Sequence, residues 1–181
     1  MKQSSRLVTK FVPATLAFLF ALMSVNAQIR EDPPAVKEIL SFKPGLQITR
    51  DTLIKRLLEA DKTLIFKEGN EINNLPYYSA TTLTNSTIQL IGKPNELIMA
   101  KWRFAFTPDE KINMGEFEKI AWFTLMIGEK RCLDWYLASF VEINKNLAKL
   151  YSDEKELYAN RIAKLVYDPQ GKTLTVTFKT L

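Results

Sequence analysis

The chain has 181 residues, with 25 basic and 20 acidic side chains, one cysteine and no histidine. The absence of histidine excludes the usual Ser-His-Asp and Cys-His catalytic arrangements and most transition-metal sites, so we predict no metal and no cofactor. A single cysteine cannot form a disulfide within the chain, so stability has to come from a packed core.

Residues 1–27 have the three parts of a secretory signal peptide. Three basic residues and no acid lie within residues 1–10, residues 11–23 form an apolar run, and a segment with small side chains ends at Ala27. We predict cleavage after Ala27 and therefore a secreted or periplasmic location. An uncleaved membrane anchor is the alternative, but a spanning helix needs about 20 apolar residues and Pro13 interrupts this shorter run.

Cleavage would leave 154 of the 181 residues, and the 25 bases less the three of the leader leave 22 against 20 acids. A chain of that length suits one domain. Because the charges nearly balance, we predict no nucleic-acid partner. Because the leader is predicted to be cleaved, we predict no stable membrane anchor after cleavage. We assign residues 28–48 to an N-terminal linker or tail, with a short helical turn at residues 35–42, and residues 49–181 to the domain.

The first element of the predicted domain is a helix of about three turns that contains residues 53–60 and follows residues 49–52. Thr49 or Asp51 can cap it, and its leucine and isoleucine side chains form one apolar stripe. Residues 63–67 are predicted to form a short strand, and residues 68–76 a loop rich in turn-forming residues.

Residues 87–106 predict a hairpin with a tight turn at residues 92–96, and residues 77–84 lead into its first strand. The second strand alternates apolar and polar side chains at every second residue, as a half-buried antiparallel strand does. Lys101 and Arg103 are predicted to lie on its exposed side. The predicted buried side consists of Ile98, Ala100, Trp102, Phe104 and Phe106.

Two helices are predicted after this hairpin. Residues 115–127 fit either a helix or a buried strand, and we choose a helix ended by Gly128 because its apolar residues keep helical spacing. Residues 131–151 carry a clear apolar stripe with the 3.6-residue period, and Trp135 lies away from that stripe.

The C-terminal part begins with a short helical turn predicted at residues 152–159. Residues 162–167 and 173–179 then form a second hairpin around a turn at residues 168–171. On the last strand the apolar residues are predicted to face inward. The outward-facing residues are Thr173, Thr175, Thr177 and Lys179.

This order of elements predicts an α+β fold, with an antiparallel sheet of about five strands and helices packed on one face in two layers. The outer sheet face would be rich in threonine and would carry Lys101, Arg103 and Lys179, which we take as tentative binding residues. Trp122 and Trp135 on the predicted helices are a tentative interface for a protein partner or a second copy of the chain.

Several short patterns imitate functional motifs but have simpler structural explanations. Ser152 and Lys155 match S-x-x-K, although the companion S-D-N and K-T-G elements are absent. Residues 171–173 imitate the end of a P-loop, yet Val166 replaces its first glycine. Asn85 begins an N-glycosylation sequon, which matters only in a eukaryotic secretory route.

The sequence favours an exported, non-catalytic binding or interaction protein of the cell envelope or exterior. The alternative is a small secreted hydrolase that uses only carboxylates, as glycosidases do, with Tyr77 and Tyr78 lining a groove. Cys132 is predicted to be a buried or idle thiol, with an intermolecular disulfide as the alternative. The carboxylates nearest one another are Asp109, Glu110, Glu116 and Glu118.

Overall fold

The computed structural model describes residues 45–84 and 86–181. The predicted signal peptide, the helical turn at residues 35–42 and Asn85 of the sequon lie outside the described residues. Leu46 and Ile48, which we assigned to the linker, are buried with the rest of the domain.

The described residues contain two helices and seven strands. In chain order they are α1 (Arg50–Ala60), β1 (Lys67–Ile72), β2 (Leu75–Thr81), β3 (Thr87–Lys93), β4 (Glu96–Ala105), α2 (Glu110–Lys145), β5 (Tyr151–Leu157), β6 (Arg161–Asp168) and β7 (Thr173–Thr180). The strands form one sheet in the order β1-β2-β3-β4-β7-β6-β5, with every neighbouring pair antiparallel. The predicted α+β class is confirmed, but the prediction of about five strands is wrong.

Three strands are missing from the prediction. They are β1 and β5 at the two edges of the sheet, and β2, most of which was predicted only to lead into the first strand of the hairpin. Residues 68–76, predicted as a loop, supply most of β1 and the start of β2. Asn73 and Asn74 join these strands with positive φ angles of 52° and 61°, which asparagine tolerates well and which suit a tight hairpin turn. The strand predicted at residues 63–67 is therefore wrong, because strand pairing begins only at Lys67.

Another missing strand is β5, which replaces the helical turn predicted at residues 152–159. Its charged residues suggested a helix start, but their side chains alternate between half-buried and exposed positions along the strand. Asp153 and Lys155 lie on the half-buried side, opposite Leu165 and Ala163 of β6. An edge strand needs few apolar residues, so its sequence lacks the alternation that identifies central strands.

We call the buried side of the sheet its inner face and the opposite side its outer face. On β4 and β7 the predicted alternation is confirmed, since Trp102, Phe104 and Phe178 on the inner face are at most 1% exposed. Ile98 is the exception, because the β3–β4 register shifts beside it and Leu97 occupies the inner position instead. A β-bulge of this kind reverses the alternation and leaves no clear trace in sequence.

Helix α1 begins where the sequence predicted. The side-chain oxygen of Thr49 accepts a hydrogen bond from the backbone N–H of Thr52, at 3.1 Å, and so caps the helix. Leu53 and Leu57 are buried. The guanidinium of Arg50 lies 4.2 Å from the ring centroid of Tyr78, which attaches α1 to β2.

Helix α2 starts at Glu110, five residues before its predicted start at Gly115, and Asp109 caps it by accepting hydrogen bonds from two backbone N–H groups. The choice of helix over strand for residues 116–127 is confirmed. The ring of Phe123 packs edge-on against Trp102 and Phe178, at centroid distances of 5.5 Å and 5.8 Å. These contacts hold α2 against the inner face.

A single residue interrupts α2 next to the predicted stop at Gly128. Glu129 has φ 59° and ψ −171°, a backbone conformation that residues other than glycine adopt only with strain. The helix then continues to Lys145, so the predicted end at Tyr151 is wrong, because Tyr151 pairs with Tyr167 as part of β5.

The buried guanidinium of Arg161 on β6 lies beside this interruption. It donates hydrogen bonds to the backbone carbonyls of Tyr158 at 2.7 Å, Leu46 at 3.0 Å and Ile127 at 3.5 Å. Ile127 lies in the last turn of the first part of α2, where a cation interacts favourably with the helix dipole. One side chain thus ties three separate segments of the chain together.

Replacing the strained residue tests this description of α2. Glu129→Gly is expected to raise the free energy of unfolding by about 1 kcal/mol, because glycine adopts a positive φ without steric cost. The matched control is Ala138→Gly, at an exposed position of the same helix. This variant is expected to lower the free energy of unfolding by about 1 kcal/mol. Urea denaturation measures both changes, and a less stable Glu129→Gly variant would contradict the assignment of strain.

Candidate functional site

The outer face of the sheet brings the three predicted binding residues onto two neighbouring central strands. Lys101 and Arg103 lie on β4, and Lys179 lies on β7 directly opposite Met99. Arg103 and Lys179 are exposed and Lys101 is half-buried. The pairing of β4 with β7 therefore places all three cations on one continuous surface.

These cations have no acidic residue next to them along their own strands, because the only acid of β4, Glu96, lies at the far end of the strand. No acidic residue occurs in residues 87–91, 99–105 or 173–180. Among the ion pairs that the structure describes, none involves Lys101, Arg103 or Lys179. Cations that form none of the described ion pairs, on strands with no acid beside them, create a local positive potential.

Uncharged polar groups surround the cations. Thr175 lies opposite Arg103 and Thr177 opposite Lys101 on β7, while Thr87 and Gln89 occupy the matching positions on β3. We name the seven residues the outer patch: Thr87, Gln89, Lys101, Arg103, Thr175, Thr177 and Lys179. Sequence reasoning identified the β4 and β7 members and missed Thr87 and Gln89, although the alternation of polar and apolar residues along β3 could have identified them.

The outer patch borders an ion pair on the next strand. Lys164 on β6 lies opposite Thr177 and forms a 2.6 Å ion pair with Glu154 of the edge strand. Glu154 is exposed, and its pKa is lowered from the usual value by the hydrogen bond and the charge of Lys164 and, to a smaller extent, by the charge of Lys179. The acids of this face thus lie toward β5, while its centre is positive.

The two tryptophans of the tentative interface lie in different environments. Trp122 is 56% exposed on the first part of α2. Trp135 is only 8% exposed, and its indole N–H donates a 2.7 Å hydrogen bond to Asp153 of β5. The prediction that Trp135 lies off the buried stripe is wrong, because β5 covers a side of the helix that the sequence suggested was free. A protein partner or homodimer through Trp122 stays a prediction.

A chain of buried polar groups connects α1, α2 and the segment before β3. Ser86 donates a short hydrogen bond to Glu116, and the ammonium of Lys119 bridges Glu116 at 3.0 Å and Asp61 at 2.7 Å. Ser86 and Glu116 are at most 1% exposed. Sequence reasoning missed this cluster, since nothing local marks Glu116 as buried. Its enclosure from solvent favours a structural role.

The pKa values in this cluster reflect two opposing effects. Burial opposes ionisation of Asp61, but hydrogen bonds from Lys119 and Thr63 outweigh it and lower the pKa of Asp61 from 3.8. Burial likewise opposes the charge of Lys119, but Asp61 and Glu116 outweigh it and raise the pKa of Lys119 from 10.5. Both charged forms are thus favoured in the folded state.

The residues proposed for a carboxylate hydrolase are dispersed. Asp109 caps α2, and Glu116 is enclosed with Ser86 and Lys119. Tyr78 pairs with Leu90 and contacts Arg50 on the inner side, whereas its neighbour Tyr77 lies on the outer face. The two tyrosines therefore cannot line one groove.

The remaining motif-like residues have structural positions. Ser152 and Lys155 lie on the edge strand β5 with their side chains on opposite faces, and Gly171 lies in the turn between β6 and β7. Cys132 is fully buried, and burial raises the pKa of its thiol to about 11. At neutral pH this thiol is protonated and enclosed by protein.

Within residues 45–84 and 86–181, no group of three or more acidic or cysteine side chains is placed to hold a metal ion. Neither helix of this part of the chain is long and apolar enough to cross a membrane.

The chain was compared with protein-family models, curated proteins and solved structures, and none of them matches it.

Removing the central ammonium of the buried cluster gives a prediction about pH. Lys119→Met is expected to be less stable than the wild type near neutral pH, because it leaves Glu116 and Asp61 without their cation. The difference in free energy of unfolding between the wild type and this variant should become smaller as pH falls through the lowered pKa of Asp61. It should also become smaller as pH rises through the raised pKa of Lys119.

The matched control for this experiment is Lys145→Met, which removes an exposed partner of Glu142. Exposed ion pairs contribute little, so its stability should follow that of the wild type at every pH. Urea denaturation between pH 2 and pH 12, a range that extends beyond both shifted pKa values, measures all three proteins. A stability difference between the wild type and Lys119→Met that stays constant over the whole pH range would contradict the stabilising role of this charged cluster.

Proposed function

We propose that this chain is an exported, non-catalytic binding protein of the cell envelope or exterior, and that the outer patch binds an anionic partner. The observation that carries the proposal is the group of three cations on β4 and β7, which form none of the described ion pairs and have no acidic residue on the adjoining parts of β3, β4 and β7. Export rests on the sequence of residues 1–27.

The arrangement of the domain supports a binding role for the outer face. We interpret the fold as two layers, in which α1 and α2 cover the inner face and leave the outer face free. The buried charged side chains of Glu116 and Arg161 join segments of the chain, which favours the outer patch as the candidate for outside contacts. Exposed lysine and arginine side chains can bind carboxylates without any chemical step.

Neutralising the patch tests this function. The triple variant Lys101→Ala, Arg103→Ala, Lys179→Ala is expected to bind poly-L-glutamate and polygalacturonate at least about tenfold more weakly than the wild type, since each exposed charge contributes a fraction of a kcal/mol. Fluorescence anisotropy with labelled polymers at low salt measures the affinities. Binding by the wild type should weaken as salt is added.

The matched control removes the same charge elsewhere, from three exposed lysines outside the sheet: Lys55, Lys62 and Lys111. Changing these to alanine should leave both affinities within about twofold, because binding depends on local potential rather than net charge. Equal losses in the two triple variants, or no binding of either polymer by the wild type, would reject the outer patch as the binding surface.

A further inference from the structure

The geometry of the outer patch also indicates what kind of anionic partner it fits, an inference that rests on the proposed function. We infer that the patch binds an acidic polysaccharide whose sugar rings each carry a carboxylate, laid along β4 and β7. The evidence is the spacing of its cations, the hydroxyl and amide groups between them, and the aromatic ring of Tyr77 at its border.

The cations are spread out rather than clustered. Lys101 and Arg103 are two residues apart on the same side of β4, which corresponds to about 7 Å along the strand. Lys179 lies opposite Met99, another two residues in the other direction, so the three charges extend over about 13 Å. This spacing suits a polymer with single charges at intervals better than a densely charged sulfated chain.

Neutral hydrogen-bonding groups fill the spaces between the charges. Thr175 and Thr177 place hydroxyl groups beside Arg103 and Lys101, and Gln89 adds an amide on the other side of Lys101. A hydroxyl both donates and accepts a hydrogen bond, so it complements the hydroxyl groups of a sugar. An acidic polypeptide presents few such groups at its side-chain ends, and the threonines would contribute little to its binding.

Tyr77 gives the patch an aromatic border. Its hydroxyl accepts a 3.1 Å hydrogen bond from the amide of Gln89, a member of the patch. Its ring lies against the bare backbone of Gly69, where an added Cβ would come within 2.6 Å of the ring. The side chain is half-buried, so part of the ring is open to solvent and can contact the apolar C–H face of a sugar ring.

The decisive experiment compares two polymers of matched length, polygalacturonate and poly-L-glutamate, on the wild type and on the variant Thr175→Val, Thr177→Val. Valine keeps the shape and strand preference of threonine but removes the hydroxyl. The variant is expected to bind polygalacturonate about tenfold more weakly and poly-L-glutamate within twofold of the wild type. Thr180→Val, a threonine of β7 outside the patch, is the control and should change neither affinity.

The possible outcomes separate the two proposals. If poly-L-glutamate binds at least as tightly as polygalacturonate and the double variant affects neither, the patch recognises charge alone, and the carbohydrate inference fails while the proposed function stands. Tighter binding of a sulfated glycan or of duplex DNA than of polygalacturonate also overturns the inference. If the wild type binds none of these polymers, both proposals fail.

A second variant tests the aromatic border independently of the threonines. Tyr77→Leu is expected to weaken binding of polygalacturonate severalfold and to leave binding of poly-L-glutamate unchanged, because only the sugar has an apolar face for the ring. Urea denaturation shows whether the variant is folded. If a folded Tyr77→Leu variant binds polygalacturonate with unchanged affinity, Tyr77 is not part of the binding site.

Discussion

The packing of Phe123 against Trp102 and Phe178 is the contact on which the other features depend. It joins the middle of the sheet to the first part of α2, and all three side chains are at most 1% exposed. Because alternate residues of a strand point to opposite faces, burying Trp102 and Phe178 fixes which residues remain outside. Lys101, Arg103 and Lys179 are on the outer face for this reason.

The interruption of α2 at Glu129 allows the two parts of this helix to contact different parts of the sheet. Phe123 contacts β4 and β7 before the break, and Trp135 bonds to β5 after it. A continuous straight helix would direct its apolar stripe along one line, whereas a break changes the direction of the second part. Arg161 of β6 donates a hydrogen bond to the carbonyl of Ile127 next to the break, and this contact offsets part of the strain at Glu129.

The distribution of polar groups is the basis on which we propose binding rather than catalysis. Glu116 and Arg161, two charged side chains enclosed within the domain, are hydrogen-bonded to other parts of the chain, and Cys132 is buried as a protonated thiol. The cations of the outer patch have no such partners among the described ion pairs. Charge that is left unpaired at the centre of a sheet face is available to a ligand.

The sequence by itself determined the elements that are marked by a local pattern of apolar and polar residues or by a capping residue. The alternation around Trp102 and Phe178 placed β4 and β7 and the three cations, and Thr49 and Gly128 marked the start of one helix and the interruption of another. Tertiary structure alone decided the edge strands β1 and β5, the bulge at Ile98, the burial of Trp135 and the cluster around Glu116. These depend on pairing between distant segments, and a backbone hydrogen bond or a buried ion pair imposes no pattern on the residues next to it in the chain.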